Sequence, residues 1–185
     1  MLVSEYLDKC HALQGERNRW RADLDWDLER GFISIAVPPN NPDQKFLDAA
    51  YEEAQQGLRE GGIPIGSVLV RDGVVIGRGH NRRVQKGDPI LHGEMDAIQN
   101  AGRQRTYKDV TCYTTLSPCM MCTGTIIQFG IKRVVVAESK NFKGFQDVMT
   151  LAGVDVVDYH EERCEHMMAD FIMKHPELWN EDIGE

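Results

Sequence analysis

SPCMMC (residues 117–122) sets two thiols three positions apart behind a proline, and HGE (92–94) sets a carboxylate two positions after an imidazole. The two stretches are read together, because a C-x-x-C alone fits a redox pair, half of a metal site, or neither. A redox pair usually opens the first helix of a thioredoxin-like unit. Here a hairpin and a helix precede the cysteines, and the pair between them is Met120 and Met121. Working outward, SVLVRDGVVIGRG reads as two apolar strands joined at Asp72 and Gly73. HGEMDAIQNAG reads as a helix stopping near Gly102, VTCYTTL as a strand, and CMMCTGTIIQFG as a helix ending at Gly130. KRVVVAE, FQDVMTLAG, VDVVDY and HEERCEHMMADFIMKH continue the alternation of strand and helix, while PELWNEDIGE shows no strong periodicity. Upstream, Phe46, Ala49, Ala50, Ala54 and Leu58 are at helical spacing, with Asn41 as the expected cap and Pro42 in the first position. The pattern predicts a three-layer α/β domain. WRADLDWDLERGF, further upstream, is compatible with a helix packed on that domain or on a partner subunit.

The order His92-x-Glu94, then Pro118-Cys119-x-x-Cys122, is the signature of zinc-dependent base deaminases. The chemistry explains the spacing. A catalytic zinc needs three protein ligands and an open fourth position for water. His92, Cys119 and Cys122 supply three. Two thiolates neutralise Zn²⁺, so a water there is less acidified than on three histidines. Glu94 is then useful as the base that takes and returns a proton. Cys119 and Cys122 fall in the first turn of a predicted helix, whose N-terminus favours thiolates. A structural zinc would require a fourth ligand, and His80, Cys112 and Cys164 are the candidates. Cys112 and Cys164 otherwise read as core residues.

The chain of 185 residues carries net charge −8, which favours a small uncharged substrate over a polynucleotide and gives no expectation of nucleic-acid binding. It holds five cysteines. MLVSEYLDKC has Glu5 and Asp8 where a leader would be apolar, so a reducing, cytoplasmic setting is expected. No apolar run is long enough to predict a membrane span.

With AYEEA, EGGIPIG, GRGHN, QKG, LHGE, YTTLSPC, MCTG, NFK and EDIGE, the chain resembles the cytidine and deoxycytidylate deaminase superfamily, and within it the fungal free-base cytosine deaminases. The resemblance covers roughly residues 44–185. It implies a three-layer α/β/α domain over residues 43–185, with a central five-stranded mixed sheet. It also implies a homodimer and one zinc per subunit. Residues 1–42 form an N-terminal extension of unknown role. The implied reaction is hydrolysis of cytosine to uracil and ammonia, a step of pyrimidine salvage. The alternative is another free aminopyrimidine or aminopurine base, such as guanine or a substituted cytosine. The implied ligands are His92, Cys119 and Cys122, with Glu94 as proton shuttle. Asn81 is implied to hold the pyrimidine edge and Asp182 to face the exocyclic amine. Phe142 and Trp179 are implied as an aromatic lid, Ser117, Leu116 and Gly93 as lining, and Ile65 as an apolar wall. Arg82, Val84 and Ile90 depart from the family pattern at positions expected near the pocket, where Val84 would leave room for a bulkier base.

Overall fold

Alternate residues of each apolar strand go to opposite faces of one sheet, and here both faces are apolar. The computed structural model describes residues 41–185 and, before them, two short strands, β1 (Trp26–Asp27) and β2 (Phe32–Ile33). The chain divides into two compact units, residues 1–41 and 42–185. In the first, β1 and β2 pair antiparallel, Trp26 opposite Ile33. These strands replace the helix expected through WRADLDWDLERGF, in keeping with the β preference of Trp, Phe and Ile. The rest of that stretch lies outside the described residues.

The second unit runs α1 (Gln44–Arg59), β3 (Gly66–Arg71), β4 (Val74–His80), α2 (Arg83–Lys86), α3 (Gly93–Ala101), β5 (Val110–Leu116), α4 (Met120–Phe129), β6 (Arg133–Glu138), α5 (Gln146–Leu151), β7 (Asp155–Asp158), α6 (Glu162–Lys174) and α7 (Pro176–Ile183). The strand order is β4-β3-β5-β6-β7. β3 pairs antiparallel with β4 and β5, while β5, β6 and β7 are parallel, so the five-stranded sheet is mixed as expected. The β3–β4 turn uses Asp72 (φ 50°) and Gly73 (φ 75°), the left-handed pair that a tight hairpin needs.

Leu69, Cys112, Val134 and Val136 pack with Ala97 of α3, Ile126 of α4 and Met149 of α5. Val68, Val70, Tyr113, Val135 and Ala137 pack with Phe46, Leu47 and Ala50 of α1 and Cys164 of α6. This is the three-layer core, and it absorbs both Cys112 and Cys164. Gly66 allows α1 to approach closely: a Cβ there would lie 2.1 Å from the Ala50 carbonyl.

Three local expectations are corrected. Helix α1 starts after Asp43 rather than Asn41. Asp43 does not cap with its side chain, because its carboxylate is taken by Arg133, Tyr113 and Tyr159. Leu58 is exposed, and Gly57 holds the inward position instead. PELWNEDIGE forms α7, with Pro176 at its start and Gly184 (φ 78°) behind it. The helix is short, and an aspartate interrupts its inward face, which hides the apolar period.

Candidate metal centre and active site

Cys119 follows the end of β5 and His92 the loop after α2, and there the two motifs meet. His92 is the N-cap residue of α3 and Cys119 that of α4, both with extended backbone. A cap position usually carries Ser, Thr, Asp or Asn, whose side chain bonds back to the helix. Neither His92 nor Cys119 does so, which leaves both side chains for another use. Backbone bonds fix them: Asp96 N donates to the His92 carbonyl (2.9 Å) and Thr123 N to that of Cys119 (2.8 Å).

The ligand atoms of His92, Cys119 and Cys122 all lie within 4.8 Å of one another. Cys119 Sγ is 3.5 Å from His92 Nδ1. The other ring nitrogen, Nε2, is 3.7 Å from Asp182 Oδ1. A second carboxylate on the far nitrogen is the usual way a ligating imidazole is oriented. The hydrogen bond with Cys122, and then His92, holds the Cys119 thiol down to about 4. Cys122 is pushed well up by that same bond and by its burial. The two sulfurs and the imidazole nitrogen thus converge on one point. One nitrogen and two sulfurs suit Zn²⁺ with a coordination position left open. No fourth His, Cys, Asp or Glu joins this cluster among the described residues, so His80, Cys112 and Cys164 fall away as structural ligands.

Glu94, in the first turn of α3, is 3% exposed. Burial raises its carboxyl above the usual range, and the Cys119 charge adds to this. Its Oε1 accepts from Thr114 Oγ1 at 3.1 Å, a contact that sequence reading did not anticipate.

A small pocket, partly open to solvent, sits over the cluster. Ile65, His92, Glu94, Leu116, Ser117, Cys119, Phe142, Trp179 and Asp182 line it, joined by Ile183. The Phe142 and Trp179 rings meet edge to face at 5.8 Å. Asn81 does not line the pocket; it is fully buried, and its Nδ2 donates at 2.7 Å to Oδ1 of the lining Asp182. Gly93 is not a lining residue; a Cβ on it would lie 3.0 Å from the Ile65 carbonyl, so its role is close backbone passage. Arg83, also unanticipated, donates through Nη1 to Asp182 Oδ1 at 3.2 Å. Ile183 was legible as the residue four after Trp179, had α7 been read as a helix. Arg82, Val84 and Ile90 do not line the pocket. Val84 and Ile90 are 43% and 54% exposed, and Arg82 faces Asp96 at 3.7 Å. The expectation that Val84 opens room beside the base is therefore corrected.

Fold and site together define a zinc-dependent enzyme of the deaminase type. The chain belongs to the cytidine and deoxycytidylate deaminase family: the model of that family's zinc-binding region matches residues 40–138. The cytosine deaminase of Candida albicans is 52% identical over 146 residues, which span 77% of this chain and 97% of that enzyme. A tRNA-specific adenosine deaminase of Streptococcus pyogenes serotype M18 is 39% identical over 105 residues, 55% of this chain and 66% of its own length. A solved structure from work on A-to-I editing by tRNA:A34 deaminases has TM-score 0.59 at 29% identity and covers 64% of this chain and 99% of that one.

Proposed function

We propose that the protein hydrolyses cytosine to uracil and ammonia. The observation that carries this reading is the small pocket over the His92, Cys119 and Cys122 cluster, lined on one side by α7, in a chain 52% identical to a cytosine deaminase across nearly all of that enzyme. Its apolar lining of Ile65, Leu116, Phe142 and Trp179 faces the polar Glu94 and Asp182, a pairing that suits a flat ring with polar edges.

His92, Cys119 and Cys122 would hold the zinc, which when bound supplies Lewis acidity that makes water nucleophilic near neutral pH. Glu94 moves the protons. It takes one from the attacking water and delivers it to ring N3. It then carries the second to the exocyclic nitrogen, which departs from C4 as ammonia. Its burial suits the task, since a carboxyl with a raised affinity for protons can both accept and return one. Asn81 and Asp182 hold the polar edge of the ring, with the Asp182 carboxylate accepting from the exocyclic amine. Phe142, Trp179, Ile65 and Leu116 sandwich the ring and exclude water. Ser117 completes the wall.

We place the reaction in the cytoplasm as a pyrimidine salvage step, in a homodimer with one zinc per subunit. Among the described cysteines none forms a disulfide, which suits a reducing compartment. Exposed Val84, Ile90 and Met120, on segments flanking the site, support a second copy as the cover. The role of residues 43–185 is the deaminase domain, with residues 1–42 as an extension to it.

The test is an ultraviolet and ammonia-release assay of the zinc-loaded protein on cytosine, cytidine, guanine and tRNA in parallel. Turnover of cytosine without cytidine or tRNA is expected. Release of ammonia from guanine alone would move the reading to the other base. Glu94→Gln should keep its zinc and lose turnover.

A further inference from the structure

One buried carboxylate is used by none of these steps. Glu138 ends β6 and is 0% exposed. A buried carboxylate is costly unless its oxygens are hydrogen-bonded. Here they are met by the loop that follows. Glu138 Oε2 accepts from Lys140 N (2.7 Å) and Asn141 N (3.1 Å), and Oε1 accepts from Asn141 Nδ2 (3.0 Å). The Asn141 amide also donates to the Glu165 carbonyl on α6 at 2.9 Å. Lys140 directs its ammonium to Glu165 instead, so Glu138 grips mainly the loop's own N–H groups.

The far end of the same loop is fastened separately. Ser117 Oγ donates to the Lys143 carbonyl at 2.9 Å, and Phe145 N to that of Pro118 at 3.2 Å. Gly144 sits at φ 60°, so close to Ser117 that a Cβ would fall 2.4 Å from its Oγ. Between the two fastenings stands Phe142, which lines the pocket and meets Trp179.

We infer that Glu138 is a positioning residue, whose carboxylate sets the 139–144 loop so that Phe142 is presented to the bound ring. The inference rests on the proposed function for the identity of that ring, but the loop geometry stands apart from it. Glutamine at this position keeps size and burial yet supplies one acceptor oxygen and an NH₂. It cannot accept from both backbone N–H groups and from Asn141 Nδ2 at once. Phe142 then loses its fixed placement, and base binding weakens while the proton steps at Glu94 do not change.

The experiment has two readouts. The first needs no substrate. In a Trp20→Phe, Trp26→Phe background, Trp179 is the sole tryptophan, and Glu138→Gln should raise its quenching by acrylamide. The second is kinetic. In Glu138→Gln, KM for cytosine should rise about tenfold, the scale of one buried donor left unpaired, with kcat and zinc content held. Combined with Phe142→Ala, the effects on kcat/KM should be non-additive. A folded Glu138→Gln with unchanged quenching and unchanged KM overturns the inference, and so does additivity with Phe142→Ala. Should Glu138→Gln fail to fold, Asn141→Ala carries the same expectations and the same refutations. If the parent protein turns over no cytosine, the substrate reading falls, while the quenching result still decides the role of Glu138.

Discussion

Replacing Arg83 tests how the C-terminal helix is held over the site. Its guanidinium makes two contacts with α7: Nη1 lies 3.2 Å from Asp182 Oδ1 and Nη2 3.3 Å from Glu181 Oε1. Glu181 is 67% exposed at the side chain, so that pair contributes little. Asp182 is 4% exposed and Arg83 11%, so the other is a charge-assisted bond shielded from water. Such bonds contribute about 1.5–3 kcal/mol. At about 2 kcal/mol, and 1.4 kcal/mol per tenfold, Arg83→Ala should lower kcat/KM for cytosine roughly 30-fold. The loss should fall mainly on KM, because Asn81 still grips Asp182 at 2.7 Å when the helix is closed. Arg83→Lys should recover part of it, since an ammonium reaches one acceptor but not two. Initial rates from the ultraviolet change give both constants. Zinc must be measured in the same samples, because Asp182 also faces His92 at 3.7 Å. A kcat/KM within about threefold of the parent, below even the smallest of those energies, at full zinc content would refute the latch.

Other expectations concern the scaffold. Asp43→Ala leaves Arg133 and the Tyr113 and Tyr159 hydroxyls facing an empty site; with Arg133 one-third exposed, the cost should be about 3 kcal/mol, a fall in Tm of roughly 10 °C, and an unchanged melting curve would exclude a structural role for this cluster. His80 sits between Glu53 (3.2 Å) and Glu60 (3.1 Å), which hold its proton above the ordinary value of 6.5, the Glu53 hydrogen bond foremost. A raised folded-state pKa gives stability that is whole below 6.5 and lost as pH rises through the folded value. The gap in stability between the parent and His80→Gln should therefore be widest in acid and narrow towards alkaline pH, and a gap that widens there has the wrong sign. Gly66→Ala would set a Cβ 2.1 Å from the Ala50 carbonyl and 2.4 Å from Ala54 N, both backbone of α1; denaturant melts should show a loss of about 3 kcal/mol, and a neutral result would mean that α1 moves freely.

The features legible in the sequence were those with a local signature. The Asp72 and Gly73 turn, the alternating strands, and the helix stops at Gly102 and Gly130 depend on backbone chemistry that nearby residues carry. So did the His92, Cys119 and Cys122 cluster, because metal ligation restricts residue type and spacing together. The features missed depend on distance in the chain. Asn41 reads as the cap of α1, and nothing local shows that Asp43 precedes the helix with its carboxylate held by Arg133, 90 positions away. Arg83 reads as one more surface cation until α7, 99 positions on, brings Asp182 to it. Glu138 looks like a polar strand end, and no local pattern announces that its oxygens fold back on the next three residues. α7 escaped notice because its inward face pairs Trp179 and Ile183 with a charged residue that is buried only through long-range partners.

Those same long-range contacts bear on substrate size. Related enzymes of this fold include tRNA-specific adenosine deaminases, which share 39% identity over 105 residues. A nucleotide within a polynucleotide must bring its sugar and phosphates out of the pocket mouth. In this chain α7 lines that pocket with Trp179, Asp182 and Ile183. Trp179 packs on Phe142, Ile183 lines the cavity, and Asp182 is tied to Asn81 and Arg83 beneath. Admitting a ribose requires lifting the helix and separating these contacts together. On the proposed function, a helix that keeps water from the reacting ring would also select against anything attached to that ring.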